Sequence, residues 1–245
     1  MQDKLAGPSL ASLRKAGAKD DVELWVGEAG GLSGGGVRGF TDGYTGGRWW
    51  LASLGVHALF GVSVFCRQDL VGGNYGLLAD NFPWNTPLST DAASMQAVEP
   101  MPDFWTAVLW KQLMGQRVLK ASVAQPGTPN LMVFMHCSKR HQDGGGVAMV
   151  LINTDDGSGV NVTFLDAATR RGPRVEYVLA GVGLHGISLN GDTLAVSGDA
   201  SAGWSMPSLE GKPTPAGAEG AVELAPNSYM FLEYPEAGVA VCSHP

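Results

Sequence analysis

The chain has 245 residues, 44% of them hydrophobic, enough for one large domain or two small ones with a sizeable core. A formal net charge of −7 argues against nucleic acid and other polyanions as partners, since both reward clustered Lys and Arg. No apolar run approaches the roughly 20 residues of a membrane span, and no secretory signal is read in the opening residues, which lack a basic stretch followed by an apolar one.

In chain order, residues 8–16 predict a short helix and residues 22–27 a buried strand. Residues 40–55 end in Arg48-Trp49-Trp50-Leu51-Ala52-Ser53-Leu54-Gly55, which predicts a helix stopped by its glycine. Val62-Ser63-Val64-Phe65-Cys66 alternates as a strand, with Cys66 expected as a buried thiol. Residues 103–115 predict an amphipathic helix capped by Asp103 and closed by Gly115. This β-α-β-α order implies parallel strands. Beyond residue 116 the pattern is strands only, at 131–137, 147–153, 159–165, 174–180, 187–196, 221–224 with 228–233, and 238–242. Asn190-Gly191 is a hairpin signal inside this series. Short strands separated by turn residues read as an antiparallel sandwich, with residues 197–220 as a long loop.

The strand Val22-Glu23-Leu24-Trp25-Val26-Gly27 delivers Glu28 into the glycine-rich run Ala29-Gly30-Gly31-Leu32-Ser33-Gly34-Gly35-Gly36. In a parallel barrel that end of the strands carries the active site, and a carboxylate placed there suits a nucleophile. A strand-end Glu beside glycines also suits a solvated loop residue. Gly34-Gly35-Gly36-Val37-Arg38-Gly39 matches G-x-G-x-x-G, but the strand ends too early for a dinucleotide turn and no second βαβ unit follows. His136 beside Cys137 has no partner at zinc spacing, so it reads as structural and no metal or cofactor is expected.

Trp25-Val26-Gly27-Glu28-Ala29-Gly30-Gly31 is followed by Arg67-Gln68-Asp69-Leu70-Val71-Gly72-Gly73-Asn74-Tyr75-Gly76-Leu77-Leu78. Then come Pro102-Asp103-Phe104-Trp105, Leu109-Trp110-Lys111-Gln112-Leu113-Met114-Gly115 and Leu189-Asn190-Gly191. Pro226-Asn227-Ser228-Tyr229 and Val239-Ala240-Val241-Cys242 close the series. From about residue 22 to the C-terminus this ordered set resembles the heparanase-like proteins of glycoside hydrolase family 79, the plant or algal type more than the animal type.

The resemblance implies an α/β plus all-β chain. Residues 1–115 would be the last two strands and helices of a (β/α)₈ TIM barrel, and residues 116–245 an antiparallel β-sandwich. It implies Glu28 as the catalytic nucleophile, with Gly34, Gly35, Asn74 and Tyr75 holding a uronic acid carboxylate and Gln68 lining the same subsite. Arg67 would help keep Glu28 ionised, though such an arginine is more often a structural ion-pair partner, and a tyrosine like Tyr75, taken alone, more often a packing residue. Retaining hydrolysis needs a second carboxyl about 5–5.5 Å away, which in such enzymes follows an asparagine. No Asn-Glu pair occurs in the sequence. Glu23 lies at the wrong end of the strand, and Asp80 and Asp103 sit in loop and cap positions, so the chain carries half of a catalytic pair.

The resemblance further pairs Cys137 with Cys242, closing a loop of about 100 residues worth up to roughly 4–5 kcal/mol and implying an oxidising compartment. Asn161-Val162-Thr163 is a glycosylation sequon. The expected protein is therefore secreted, extracellular or vacuolar. Its expected substrate is a glucuronic acid-containing glycan or glucuronide rather than a sulfated chain, because Lys139-Arg140-His141 and Arg170-Arg171 are the sole basic clusters. A second chain supplying the missing barrel strands is one expectation; a non-catalytic, glycan- or partner-binding truncated homologue is the alternative.

Overall fold

The computed structural model describes residues 9–79, 99–123, 130–165, 169, 172–199, 201, 203–215 and 221–243. Asp80, Arg170 and Arg171 lie outside the described residues. Helix α1 (Leu10–Lys15) starts at Ser9, whose side chain accepts from the Ser12 amide. Strands β1 (Leu24–Ala29) and β2 (Val62–Arg67) run parallel, joined through helix α2 (Tyr44–Leu59). Two short antiparallel strands, β3 (Leu78–Ala79) and β4 (Glu99–Pro100), precede helix α3 (Pro102–Leu113). Pro102 occupies the first helical turn, where its missing N–H leaves no bond unmade.

Among the described residues twelve strands in chain order build the rest of the scaffold. They begin with β5 (Met114–Leu119), β6 (Leu131–Ser138), β7 (Val147–Asn153) and β8 (Val160–Val162). Then come β9 (Arg174–Val182), β10 (Gly186–Leu189), β11 (Asp192–Thr193), β12 (Ser197–Asp199) and β13 (Gly203–Ser205). After these follow β14 (Lys212–Thr214), β15 (Val222–Leu224) and β16 (Ser228–Tyr234). The large antiparallel sheet has the order β11-β10-β9-β16-β7-β6-β5, with β14 beside the start of β9.

The period of two along the central strands divides the core. Ala148, Val150 and Ile152 of β7, with Tyr229 and Phe231 of β16, pack against Leu51 and Val56 of α2 and Trp105, Leu109 and Leu113 of α3. The intervening Val147, Met149, Leu151, Met230, Leu232 and Tyr234 pack on the other face against Val222 and Leu224 of the β8–β15 pair. Helices and sheet thus share one hydrophobic layer, and strands buried on both faces read as continuous apolar runs. Cys137 and Cys242 form a disulfide across a separation of 105 residues. Among the described residues no helix is long and apolar enough to cross a membrane.

Several expectations change in the structure. Gly55 does not stop α2, which continues to Leu59. A Cβ there would lie 2.3 Å from the Phe134 ring, so the glycine serves the contact between helix and sheet. Asp103 is not the cap of α3, which begins after Met101, and Gly115 lies in β5, a strand absent from the sequence reading. The chain passes from α3 to β5 without a turn, so no turn residue marks the change. Residues 238–242 hold a 3₁₀ turn, Ala240–Cys242, pinned by the disulfide and by bonds from the Gly238 and Val239 amides to Gly144 and Gly145. Residues 197–220 contain β12, β13 and β14. Cys66 is exposed, because among the described residues nothing covers that face of the two-stranded sheet. The Asn190-Gly191 hairpin is present, with both residues at positive φ between β10 and β11.

Gly55→Ala is expected to destabilise the chain by about 1–3 kcal/mol through overpacking, and Phe134→Leu in the same chain to recover part of the loss. Urea denaturation of the single and the double variant beside the wild type measures both.

Candidate active site

The pairing of β1 with β2 runs Val26↔Phe65 and then Ala29↔Arg67, so β1 holds one extra residue at Gly27–Glu28. Such a bulge re-aims side chains and is common beside active sites. Glu28 is exposed at this point, one residue before β1 ends. Beyond it the chain turns through a short 3₁₀ segment, Ser33–Gly35. Gly34 and Gly35 both have positive φ, and nothing stands where their Cβ atoms would be. Successive amides in such a turn make a concavity suited to an anion.

The loop after β2 is laced to this one. The Gln68 amide donates to Ala29 O at 2.9 Å, the Asn74 amide to Gly35 O at 2.7 Å, and Gly36 bridges to Asn74. Thr41 Oγ1 accepts from the Val37 amide at 2.8 Å and donates to Asn74 O. Tyr75 is buried, with its ring behind the glycines. A Cβ on Gly36 would stand 2.9 Å from Tyr75 Cδ1 and 2.4 Å from Thr41 Oγ1, so only glycine fits there at its positive φ. The strand ends therefore bring Glu28, Gly34, Gly35, Gln68, Asn74 and Tyr75 into two adjoining loops.

Arg67 takes the structural ion-pair role that its sequence context also suited. Its guanidinium donates to the Asp103 carboxylate and, at 2.6 Å, to Tyr75 O. It lies over the Trp49 and Trp50 rings, 5.1 and 4.8 Å from their centroids. The two charged side chains are only 4% and 2% exposed. Burial pushes the Asp103 carboxyl up to about 7 against the pull of Arg67. Arg67 is thus the structural ion-pair partner of Asp103 and positions the Tyr75 loop from behind.

Sequence reasoning missed Thr41, Trp49, Trp50 and Asp103 as supports of the site. A Pro-Asp pair opening a helix mimics a cap, and nothing local marks a threonine that reaches a loop thirty-three residues on. His136 is buried, with Nδ1 2.7 Å from Gly115 O and its ring edge-on to Trp110. Among the described residues no group of three or more His, Cys, Asp or Glu could hold a metal ion.

Comparison with solved structures defines the class of protein first. The family 51 α-L-arabinofuranosidase of Thermotoga petrophila superposes with a TM-score of 0.59 at 12% identity, covering 91% of this chain and 44% of that one. A family 44 xyloglucanase of Paenibacillus polymyxa gives 0.52 at 10% identity, covering 91% and 35%. The fold is glycoside hydrolase-like.

Among curated sequences, baicalin-β-D-glucuronidase of Scutellaria baicalensis is 34% identical over 86% of this chain and 36% of its own length. Mouse heparanase is 31% identical over 90% and 38%, and heparanase-like protein 1 of Arabidopsis thaliana 37% identical over 60% and 25%. The chain belongs to the heparanase-like proteins of glycoside hydrolase family 79. It spans well under half the length of these relatives. No protein-family model matches it.

Removing Arg67 leaves a buried carboxyl without its partner, so Arg67→Leu is expected to cost about 3–5 kcal/mol at neutral pH. Because the folded pKa of Asp103 lies above its ordinary 3.8, the folded state binds its proton more tightly. Stability from this group is therefore full below about pH 4 and falls as pH rises to about 7. Urea denaturation across that window should show this slope in wild type and not in Asp103→Asn.

Proposed function

We propose that the chain carries the nucleophile half of a retaining β-glucuronidase site. The observation that carries the reading is the bulge that leaves Glu28 exposed near the end of β1, followed by the positive-φ turn at Gly34 and Gly35, to which the loop of Asn74 and Tyr75 is bonded. Glu28 would attack the anomeric carbon of a β-linked glucuronic acid, forming a glycosyl ester that water then hydrolyses. Backbone amides and a phenol would hold the substrate carboxylate without setting a competing cation beside the nucleophile. Gln68, in the loop after β2 with its amide bonded to Ala29 O, lines the same subsite in this reading.

Residues 1–115 would then be the closing part of a (β/α)₈ barrel and residues 116–245 a β-sandwich attached to it. Two observations support this: among the described residues β1 and β2 pair only with each other, and Trp25 is 60% exposed on their uncovered face. The acid/base carboxyl would come from the remaining barrel, supplied by the same polypeptide or a second chain. The relatives' names join glucuronidases and heparanases.

For substrate, the basic run 139–141 favours uncharged glycans or small glucuronides over sulfated chains. Lys139 Nζ donates to Lys111 O, Arg140 to Tyr177 Oη and pairs with Glu210, and His141 Nε2 stands 3.7 Å from Glu233, so these groups are engaged within the fold. The Cys137–Cys242 disulfide supports a secretory or vacuolar route.

A 2-deoxy-2-fluoroglucuronyl fluoride tests the site without the absent acid. Glu28 displaces fluoride at the anomeric carbon, and the expected result is a single adduct on Glu28 by peptide mass analysis, absent in Glu28→Gln. Tyr75→Phe should slow labelling by about tenfold or more, since a charge-assisted hydrogen bond contributes about 1.5–3 kcal/mol. An adduct on another residue, or none, overturns the assignment. Asn161, exposed on β8 with exposed Thr163 two residues on, should carry an N-glycan when the chain is expressed through a eukaryotic secretory pathway. Its removal by a glycosidase would appear as a mass shift lost in Asn161→Gln.

A further inference from the structure

A cavity of about 260 Å³ lies beside the glycine loop, between the start of α2 and the end of β7. Its lining includes none of Glu28, Gly34, Gly35, Gln68, Asn74 and Tyr75, and it plays no part in the proposed glycosidase chemistry. Its walls are Phe40, Trp49 and Ala52, with Gly31 at the loop side. Phe40 is 56% exposed, a large aromatic held at the surface next to a hollow. Trp49 is braced by the Trp50 ring at 5.9 Å and by the Arg67 guanidinium, so this wall is fixed from behind.

Polar groups are few, which distinguishes the hollow from a sugar subsite. Thr41 Oγ1 is already committed to Val37 and Asn74, and Thr154 Oγ1 to Asn130 O at 3.1 Å, which leaves Thr45 as the one further hydroxyl residue of the lining. A sugar ring would leave most of its hydroxyls unpaired there, at a cost of about 1–3 kcal/mol for each buried group. Arg48, also in the lining, donates to the neutral Asn227 side chain. Among the described residues no carboxylate forms an ion pair with it. Aromatic walls with one charge-uncompensated guanidinium select a flat ring that carries an anion, by stacking and by charge-assisted hydrogen bonding. Size agrees: a dry cavity of about 150 Å³ takes benzene, and drug-sized ligands need roughly 300 Å³ or more.

We propose that this cavity is a binding site for a small planar aromatic acid of about two fused rings, with the rings against Trp49 and Phe40 and the acid on Arg48. Occupancy would also buttress the Gly31–Thr41 stretch of the loop from the side opposite Tyr75.

The test is titration of the wild-type chain with 2-naphthoate, followed by saturation-transfer NMR and by tryptophan fluorescence. Saturable binding is expected, with 2-naphthalenemethanol and glucuronate each at least tenfold weaker. Ala52→Phe and Thr154→Phe, which fill the hollow from a helix and from the sheet, should each weaken naphthoate at least tenfold; where one fails to fold, the other decides. Arg48→Gln should abolish the preference for naphthoate over the alcohol. Absence of saturable binding at millimolar naphthoate overturns the proposal, as does equal binding of the alcohol or of glucuronate. Undiminished binding in the filled variants does the same. None of these readouts depends on Glu28, so failure here and failure of the glucuronidase reading are separate results.

Discussion

The site depends on one buried charge. Arg67 ends β2 inside the protein, where an unpaired guanidinium would be untenable, and three other parts of the chain meet around it. Asp103 from α3 pairs with it, Trp49 and Trp50 from α2 stack on it, and Tyr75 O from the following loop accepts a second hydrogen bond from the same nitrogen, Nη2. A lysine could not do this, because only a planar guanidinium can stack and donate in several directions together. Burial of the Asp103 carboxyl drives its upward shift, which the attraction of Arg67 only partly offsets. Once the Tyr75 backbone is fixed this way, its ring has one place to go, behind Gly30, Gly36 and Gly73.

The antiparallel sheet supports the same loops from the other side. The tip of the β9–β10 hairpin reaches the segment between the glycines and α2. A Cβ on Gly39 would lie 3.0 Å from the Leu184 side chain, and one on Gly43 would lie 2.8 Å from Leu184 O. His185 stands 3.5 Å from Asp42, which in turn accepts from the Gly39 amide. Tyr44 at the start of α2 stacks on Tyr229 of the sheet and donates to Leu179 O. Helices and sheet are therefore two braces on one loop, joined by the core layer they share. This explains why so glycine-rich a segment can hold a defined shape.

At the far end of the sheet a second buried carboxylate has a purely structural role. Glu233 is fully buried and accepts from Ser138 Oγ at 2.6 Å, while Tyr177 Oη stands 3.4 Å away. Ser138 Oγ in turn accepts from the amides of Arg140 and His141, which shapes the loop after the disulfide cysteine Cys137. In the run that looks like a basic patch in the sequence, His141 thus turns toward a hidden acid while Lys139 and Arg140 stay exposed.

Much of this was legible before any coordinates. The alternating strands, the Asn190-Gly191 turn, the helices around Trp49 and Trp105, and the family likeness all rest on local spacing or on ordered motifs, which a chain carries whatever its neighbours are. The proximity of Glu28 to Gly34, Gly35, Gln68, Asn74 and Tyr75 could be expected from strand ends alone. Other features needed the folded chain, because their causes are contacts between residues far apart in sequence. Gly55 looks like a helix stop and is a contact with Phe134; Asp103 looks like a cap and is the partner of Arg67; Cys66 looks buried and is exposed. A glycine or an acid has the same local signature in either role, and only the atoms that come to lie opposite it decide which role it has.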